Sequence, residues 1–431
     1  MIRSTASIAV LAVAASIAGA QQRPAIRQIG AVTAKSTETF TGVTSVRALS
    51  SGGVLVNDVS GRRVILFDSQ LSKFTVIADS TSATANAYGG RLGALLAYRG
   101  DSSIFVDPQS VSMLVIDPSG KVGRVIAIPR AEDASAIGSP VGNTSFDRQG
   151  RLIYRAAPRF GQQRIVAGTP GGMPPMPEIP DSAFVLRVDL TTRKLDTVGV
   201  VRTPKVKMEV KTDDRGGMSM SSLINPLPTV DEWAVTSDGA LAFVRGKDYH
   251  VDFVNPDGTK VSAAKVPFDW QRLSDEDKIA FIDSVKAARE RQGANAPLVA
   301  GAAPGGGGGT PNVQIFMGPA GPGGGPGGPN RNAAPGLQLN FIPPNELPDY
   351  KPPFFAGSVR ADTEGNVWVR TIPTAAIAGG PVYDVINRKG ELVDRVQIPA
   401  NRTIAGFGSN GAVFLINRDG TTATLERATV R

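Results

Sequence analysis

The chain has no Cys and a single His, so thiolate sites and multi-His zinc sites are excluded before spacing is considered. His250 opens the run Tyr249-His250-Val251-Asp252, and two-residue alternation in an extended segment puts His250 and Asp252 on one face. Such a pair can orient a general base, but spacing assigns it no nucleophile, and a hydrogen-bonded structural histidine is the expected role. The string Gly217-Met218-Ser219-Met220-Ser221 lacks the last Gly of a nucleophile elbow. The Gly-rich tracts neither follow a strand nor open a helix, and no Lys-Ser/Thr pair completes a phosphate loop. No acidic EF-hand loop appears. What remains is a set of polar residues that each close an apolar run: Asp58, Asp107, Arg155, Arg245, Arg370 and Asn417, with Asp231 and Glu232 at the start of another. If these converge, three Arg form an anion-attracting half opposite an acidic half. If they do not, they are strand ends leaving into water. The candidate ligand contacts are therefore Asp58, Asp107, Arg155, Arg245, Arg370, Asp231 and His250, with no catalytic residue and no metal ligand assigned.

The elements that position these residues repeat. A first strand, a Gly/Asp/Asn turn, a second strand, a short turn and a third strand recur six times, in places with a fourth strand. The sharpest copy reads Trp233-Ala234-Val235, Ser237-Asp238-Gly239, Leu241 to Arg245, His250 to Asn255, Pro256-Asp257-Gly258 and Val261 to Pro267. Equivalent turn residues fall at 53, 101, 150, 239, 365 and 411, in steps of 48, 49, 89, 126 and 46. The short steps give the period, and the two long ones are one period plus insertions. The last copy ends without its outer strand. Gln28 to Thr33, an unpaired apolar alternation at the other end of the chain, is expected to supply it and so remove an exposed sheet edge.

Blade-length spacing, strand-Asp-x-x-Gly-strand turns and terminal closure resemble the six-bladed β-propeller superfamily of TolB-like and NHL-repeat-like proteins. The resemblance implies an all-β fold of four-stranded antiparallel blades closed by an N-terminal strand. It is nearly silent on activity. The expected organisation is a signal peptide over 1–20, with Ala18-Gly19-Ala20 before the cut, and a single propeller domain over 21–431. Insertions at 156–182, 202–230 and 268–357 all fall in second-to-third-strand loops or interblade crossovers, which share one face of the ring. The last begins with Ser274-Asp275-Glu276-Asp277, a capping-box-like start to a helix over about 275–291, with Ile279, Ile282 and Val285 as its apolar stripe. The Gly/Pro-rich 294–336 is expected to be disordered.

Export, a formal charge of +8 that falls to +7 once Arg3 leaves, and the lack of long basic runs speak against nucleic acid as a partner. No segment after the signal is expected to span a membrane. The expectation is a monomeric, exported, periplasmic or secreted binding or scaffold module. It would need no cofactor and hold a protein, carbohydrate or cell-envelope ligand on the insertion-bearing face. The alternative resembles calcium-dependent lactonase propellers, in which Glu, Asn and Asp around the channel mouth hold a cation, with Asn143, Asp231 and Asp58 as the candidates here.

Overall fold

The computed structural model describes residues 23–81, 87–90, 93–139, 142–157, 180–205, 207–212, 218–292, 340–375, 377–420 and 422–430. The expected signal peptide, most of the 156–182 insertion, Gly217 and the 294–336 tract lie outside them. Among the described residues no helix is long and apolar enough to cross a membrane.

Each repeat forms one antiparallel sheet whose strands a to d follow chain order. Blade 1 comprises Val43–Ala48, Val54–Asp58, Arg63–Phe67 and Phe74–Asp79, and blade 2 Ala94–Ala97, Ser103–Asp107, Ser112–Ile116 and Val122–Ala127. Blade 3 comprises Ser145–Phe146, Leu152–Arg155, Ser182–Val188 and Leu195–Arg202, and blade 4 Glu232–Val235, Leu241–Arg245, His250–Val254 and Lys260–Ser262. Blade 5 comprises Phe354–Ala361, Val367–Thr371, Val382–Ile386 and Leu392–Gln397, and blade 6 Arg402–Phe407, Ala412–Asp419 and Thr422–Thr429. The chain is an all-β, six-bladed propeller.

Strand b of every blade is apolar on both sides because it is covered on both sides. Alternate residues of blade 1, Leu55 on one face and Val54 and Val56 on the other, enter different cores. The result is one buried cluster per blade junction. Phe67 meets Phe414 between blades 1 and 6, Leu55 meets Phe105 between 1 and 2, and Val106 meets Tyr154 between 2 and 3. Val185 meets Phe243 between 3 and 4, Val244 meets Val369 between 4 and 5, and Trp368 meets Leu415 between 5 and 6. Trp233 and Trp368, at 1% and 3% exposure, take interblade positions, whereas Trp270 stays exposed in an edge-to-face contact with Phe268.

Ring closure differs from the expected strand at Gln28 to Thr33. Ile26–Gln28 instead pairs parallel with Arg395–Gln397 as a fifth strand of blade 5. Ala34–Lys35 pairs antiparallel with Glu426 and Arg427 as the outer strand of blade 6. Gly30 marks the crossing. Its N–H donates to the Thr429 carbonyl at 2.9 Å, and a Cβ there would stand 2.7 Å from that oxygen, so only glycine allows the approach. Both outer edges needed cover, and one segment covers them in turn, with Arg27 paired to Asp394.

The crossover from blade 3 to blade 4 holds a hairpin that the sequence reading left unassigned. Lys207–Thr212 pairs with Met218–Ile224, and Asn340–Phe341 adds to it in parallel. The expected helix spans Asp275–Gln292, and its capping box is present: Ser274 Oγ accepts from the Asp277 N–H at 3.2 Å, and Asp277 Oδ2 accepts from the Ser274 N–H at 3.0 Å. Its buried seam differs from the expected stripe. Ile279 is exposed, while Ile282 and Phe281 pack with Leu227, Ile342, Leu347 and Ile372. Ile372 follows strand b of blade 5, so the helix braces the ring through a satellite core.

Candidate functional site

The polar residues that close strand b do not meet one another across the ring. Asp58 is fully buried and accepts from the Gly42 N–H at 2.9 Å, the Gly61 N–H at 3.1 Å and Arg63 Nε at 3.2 Å. Asp107 accepts from Ser110 Oγ at 2.6 Å and the Gln109 N–H at 3.2 Å. Both organise the turn that follows them. Asn417 donates to Glu426 at 2.8 Å within blade 6. Arg370 lies partly buried at the end of its strand in blade 5.

Three of the expected residues do come together, within blade 4. The Arg245 guanidinium spans Asp231, at 3.0 Å, and Asp252, at 2.7 Å. His250 lies between Asp252, 3.1 Å from Nε2, and Asp248, 2.8 Å from Nδ1. Burial works against ionised Asp252, yet hydrogen bonds from Ser262 and Arg245 hold its carboxyl below the usual range. These side chains satisfy one another within the blade.

Next to it, Glu232 is 1% exposed. Its Oε1 accepts from the Gly357 N–H of blade 5 at 2.9 Å, while Oε2 is buried with no partner. Burial pushes its carboxyl up, and Arg155, within electrostatic reach, opposes that shift. Asn143 donates to the carbonyl of neighbouring Trp233. Asn143 and Asp231 thus flank Glu232 near the blade 3–4 junction, but Asp58 belongs to blade 1. Among the described residues no group of three or more His, Cys, Asp or Glu side chains is placed to hold a metal ion.

The central channel is a concavity of about 540 Å³ lined by the inner strands and first turns of the blades. Thr44, Ser45, Asn143 and Thr144 line it where the inner strands begin, and Arg47, Arg99, Arg148 and Arg360 where they end. Two hydroxyl oxygens in its wall, Ser45 Oγ and Thr144 Oγ1, are buried without a protein partner. Three of the four Arg latch one blade to the next. Arg47 donates to Asp101 and to Ser103 Oγ, each at 3.1 Å, Arg99 donates to the Gln149 carbonyl, and Arg148 donates to the Ser237 carbonyl at 2.9 Å. The channel's two carboxylates serve their own turns: Asp147 pairs with Arg151 at 2.7 Å, and Asp362 accepts from Asn366 and Trp368 Nε1. Arg360 has neither an ion pair nor a hydrogen bond among the described residues, and burial draws its guanidinium below the usual arginine range, with Tyr383 opposing.

No protein-family model and no curated protein matches this sequence. Among solved structures the chain is similar to a gluconolactonase from Xanthomonas campestris, at 12% identity over 95% of this chain and 100% of that one, with a TM-score of 0.38. It is similar to virginiamycin B lyase from Staphylococcus aureus, at 9% identity over 91% and 96% with a TM-score of 0.39. It is also similar to the calcium-binding protein regucalcin from Agrobacterium tumefaciens, at 10% identity over 94% and 98% with a TM-score of 0.38. Likenesses of this degree concern the ring of blades and say nothing of its chemistry.

Proposed function

We propose that the chain is an exported ligand-binding propeller that receives a small polar molecule in its central channel. The channel itself carries this reading. Its size is that of a small-ligand site, and its walls offer hydroxyl, amide and guanidinium groups instead of an apolar plug. The test is a thermal-shift panel of sugars, uronates and sugar phosphates on the full chain, repeated with Ala97→Trp. Ala97 is exposed and lines the channel, so the indole narrows the passage without entering a core. Every ligand that raises Tm should lose its effect in the variant. A ligand that binds Ala97→Trp as well as the unaltered chain places the site elsewhere.

A second reading, a hydrolase of the calcium-dependent lactonase type, is favoured by Glu232, whose buried unpaired oxygen can ligate a cation or take up a proton. Arg155 beside it already supplies a positive charge, which is why this reading comes second. Melts with calcium and with chelator separate the two. A ligand held only by the native state must stabilise it, so a large calcium-dependent rise in Tm, with lactone hydrolysis lost in Glu232→Gln, would replace the first reading by the second.

A further inference from the structure

The tetrapeptide Ser-Val-Arg-Ala occurs twice, as Ser45-Val46-Arg47-Ala48 and Ser358-Val359-Arg360-Ala361. Both copies end strand a of a blade in the same register. Arg47 stands opposite Leu55 with Ala48 opposite Val54, and Arg360 stands opposite Trp368 with Ala361 opposite Val367. The two guanidinium groups therefore start from equivalent places on the channel wall. Their surroundings differ in the next blade. Arg47 is neutralised by Asp101 and bonded to Ser103 of blade 2. In blade 2 Ala97 stands opposite Ser103, and in blade 6 Phe407 stands opposite Val413, so Gly411 is the counterpart of Asp101 and Val413 that of Ser103. The backbone agrees, with φ of 62° at Asp101 and 68° at Gly411. The site that supplies the counter-charge in blade 2 is thus kept in shape and emptied of charge in blade 6. A cleft of about 250 Å³ opens there, lined by Gly411, Val413, Thr363 and Phe407 and also by Glu364, by Asp362, which Asn366 and Trp368 hold, and by the Arg27–Asp394 pair; Thr363 and Phe407 also line the channel.

We propose that Arg360 is the anion anchor of the channel, on which a small hydroxylated molecule docks one carboxylate or phosphate group in place of the missing Asp. The inference rests on the channel as the ligand site and names the class of ligand. A guanidinium offers the planar fork that matches either anion, and in a partly desolvated channel such a charge-assisted pair is stronger than at an open surface. Ser45 and Arg47, two residues apart on one face, show the spacing available: about 7 Å of wall per pair of strand residues, the length of a hexose.

The test compares the full chain with Arg360→Gln and Arg47→Gln. Tm is measured with glucose 6-phosphate, glucuronate, glucose and inorganic phosphate at millimolar concentration. The unaltered chain should gain about 2 °C or more with at least one of the two anionic sugars, and which of them acts distinguishes phosphate from carboxylate. Glucose should give no shift. Arg360→Gln should abolish the response while leaving the unliganded Tm equal or higher, because an uncompensated guanidinium has been removed. Arg47→Gln should keep the response but lower Tm, because Asp101 loses its cationic partner and keeps only Ser50. A response that survives in Arg360→Gln, or an equal response to glucose, overturns the anchor while leaving the channel reading to its own test. Inorganic phosphate acting as strongly as the sugar overturns the hydroxylated part of the ligand. No response to any probe overturns the inference outright, and so does an Arg360→Gln chain destabilised as much as Arg47→Gln.

Discussion

Glu232 and Arg360 are both buried charges with incomplete partners, and the difference between them lies in how each can relieve the cost. A carboxyl can take up a proton; a guanidinium in a protein cannot give one up. Burial raises the folded-state pKa of Glu232 above its value in the unfolded chain. Between those two values the folded protein holds more protons than the unfolded one, so stability falls as pH rises through that window and is fully retained only below the unfolded value. Glu232→Gln keeps an oxygen for the Gly357 N–H and removes the titration. Its unfolding free energy should equal or exceed that of the unaltered chain at neutral pH, by on the order of 1 kcal/mol, and the difference should vanish under acid conditions. Thermal melts from pH 4 to 8 would show this, and a neutral-pH loss of stability would mean that ionised Glu232 and Arg155 form a net favourable pair. Asp231, Arg245 and His250 were legible in the sequence because alternation alone places them on adjoining strands. Arg360 was not legible as a site, because what distinguishes it from Arg47 is the identity of Gly411 and Val413, some fifty residues downstream and in another blade. The repeated Ser-Val-Arg-Ala was the available signal.

At the level of elements, the blades were readable because their hairpins carry local chemistry. Gly52, Gly239, Gly258 and Gly365 have φ between 87° and 90°, a conformation other residues rarely adopt, so glycine at those places announces the turn. The helix announced itself in the same way, through Ser274 and Asp277. Elements joined without a tight turn were harder to read. Ile26–Gln28 pairs in parallel with blade 5, and nothing local to a parallel pair marks its partner. Gly30 looked like one more small residue in an apolar run, and its meaning depends on Thr429, at the far end of the chain. The hairpin at 207–224 carries period-two alternation in Met218-Ser219-Met220-Ser221, but its strands lie in a crossover outside the repeat and so had no copy to be aligned with. The helix seam keeps Ile282 of the expected stripe but takes Phe281 in place of Ile279, because it packs on Ile342 and Leu347, beyond a long intervening stretch.

For the whole molecule, the core is six clusters around a channel, each shared by two neighbouring blades. An open array of such units would melt in steps, since each contacts only its neighbours. Here the N-terminal segment pairs with both blade 5 and blade 6, so separating that junction breaks two sheets at once and exposes two strand edges. Closure should therefore couple the clusters into one unfolding transition even though they lie at separate blade junctions. Ile65, in the blade 6–1 cluster, and Ile153, in the blade 3–4 cluster, are both fully buried and lie at separate junctions. Ile65→Val and Ile153→Val should each cost about 0.5–1.5 kcal/mol, and the double variant should cost their sum within about 0.5 kcal/mol. Urea unfolding followed by intrinsic tryptophan fluorescence is the measurement, because Trp233 reports the blade 3–4 cluster and Trp368 the blade 5–6 cluster. A single transition shared by all variants is expected, with the midpoint moving and the slope constant. Separate transitions, with Ile153→Val moving only one of them, would mean that blades melt independently and that the N-terminal segment covers two edges without coupling the ring.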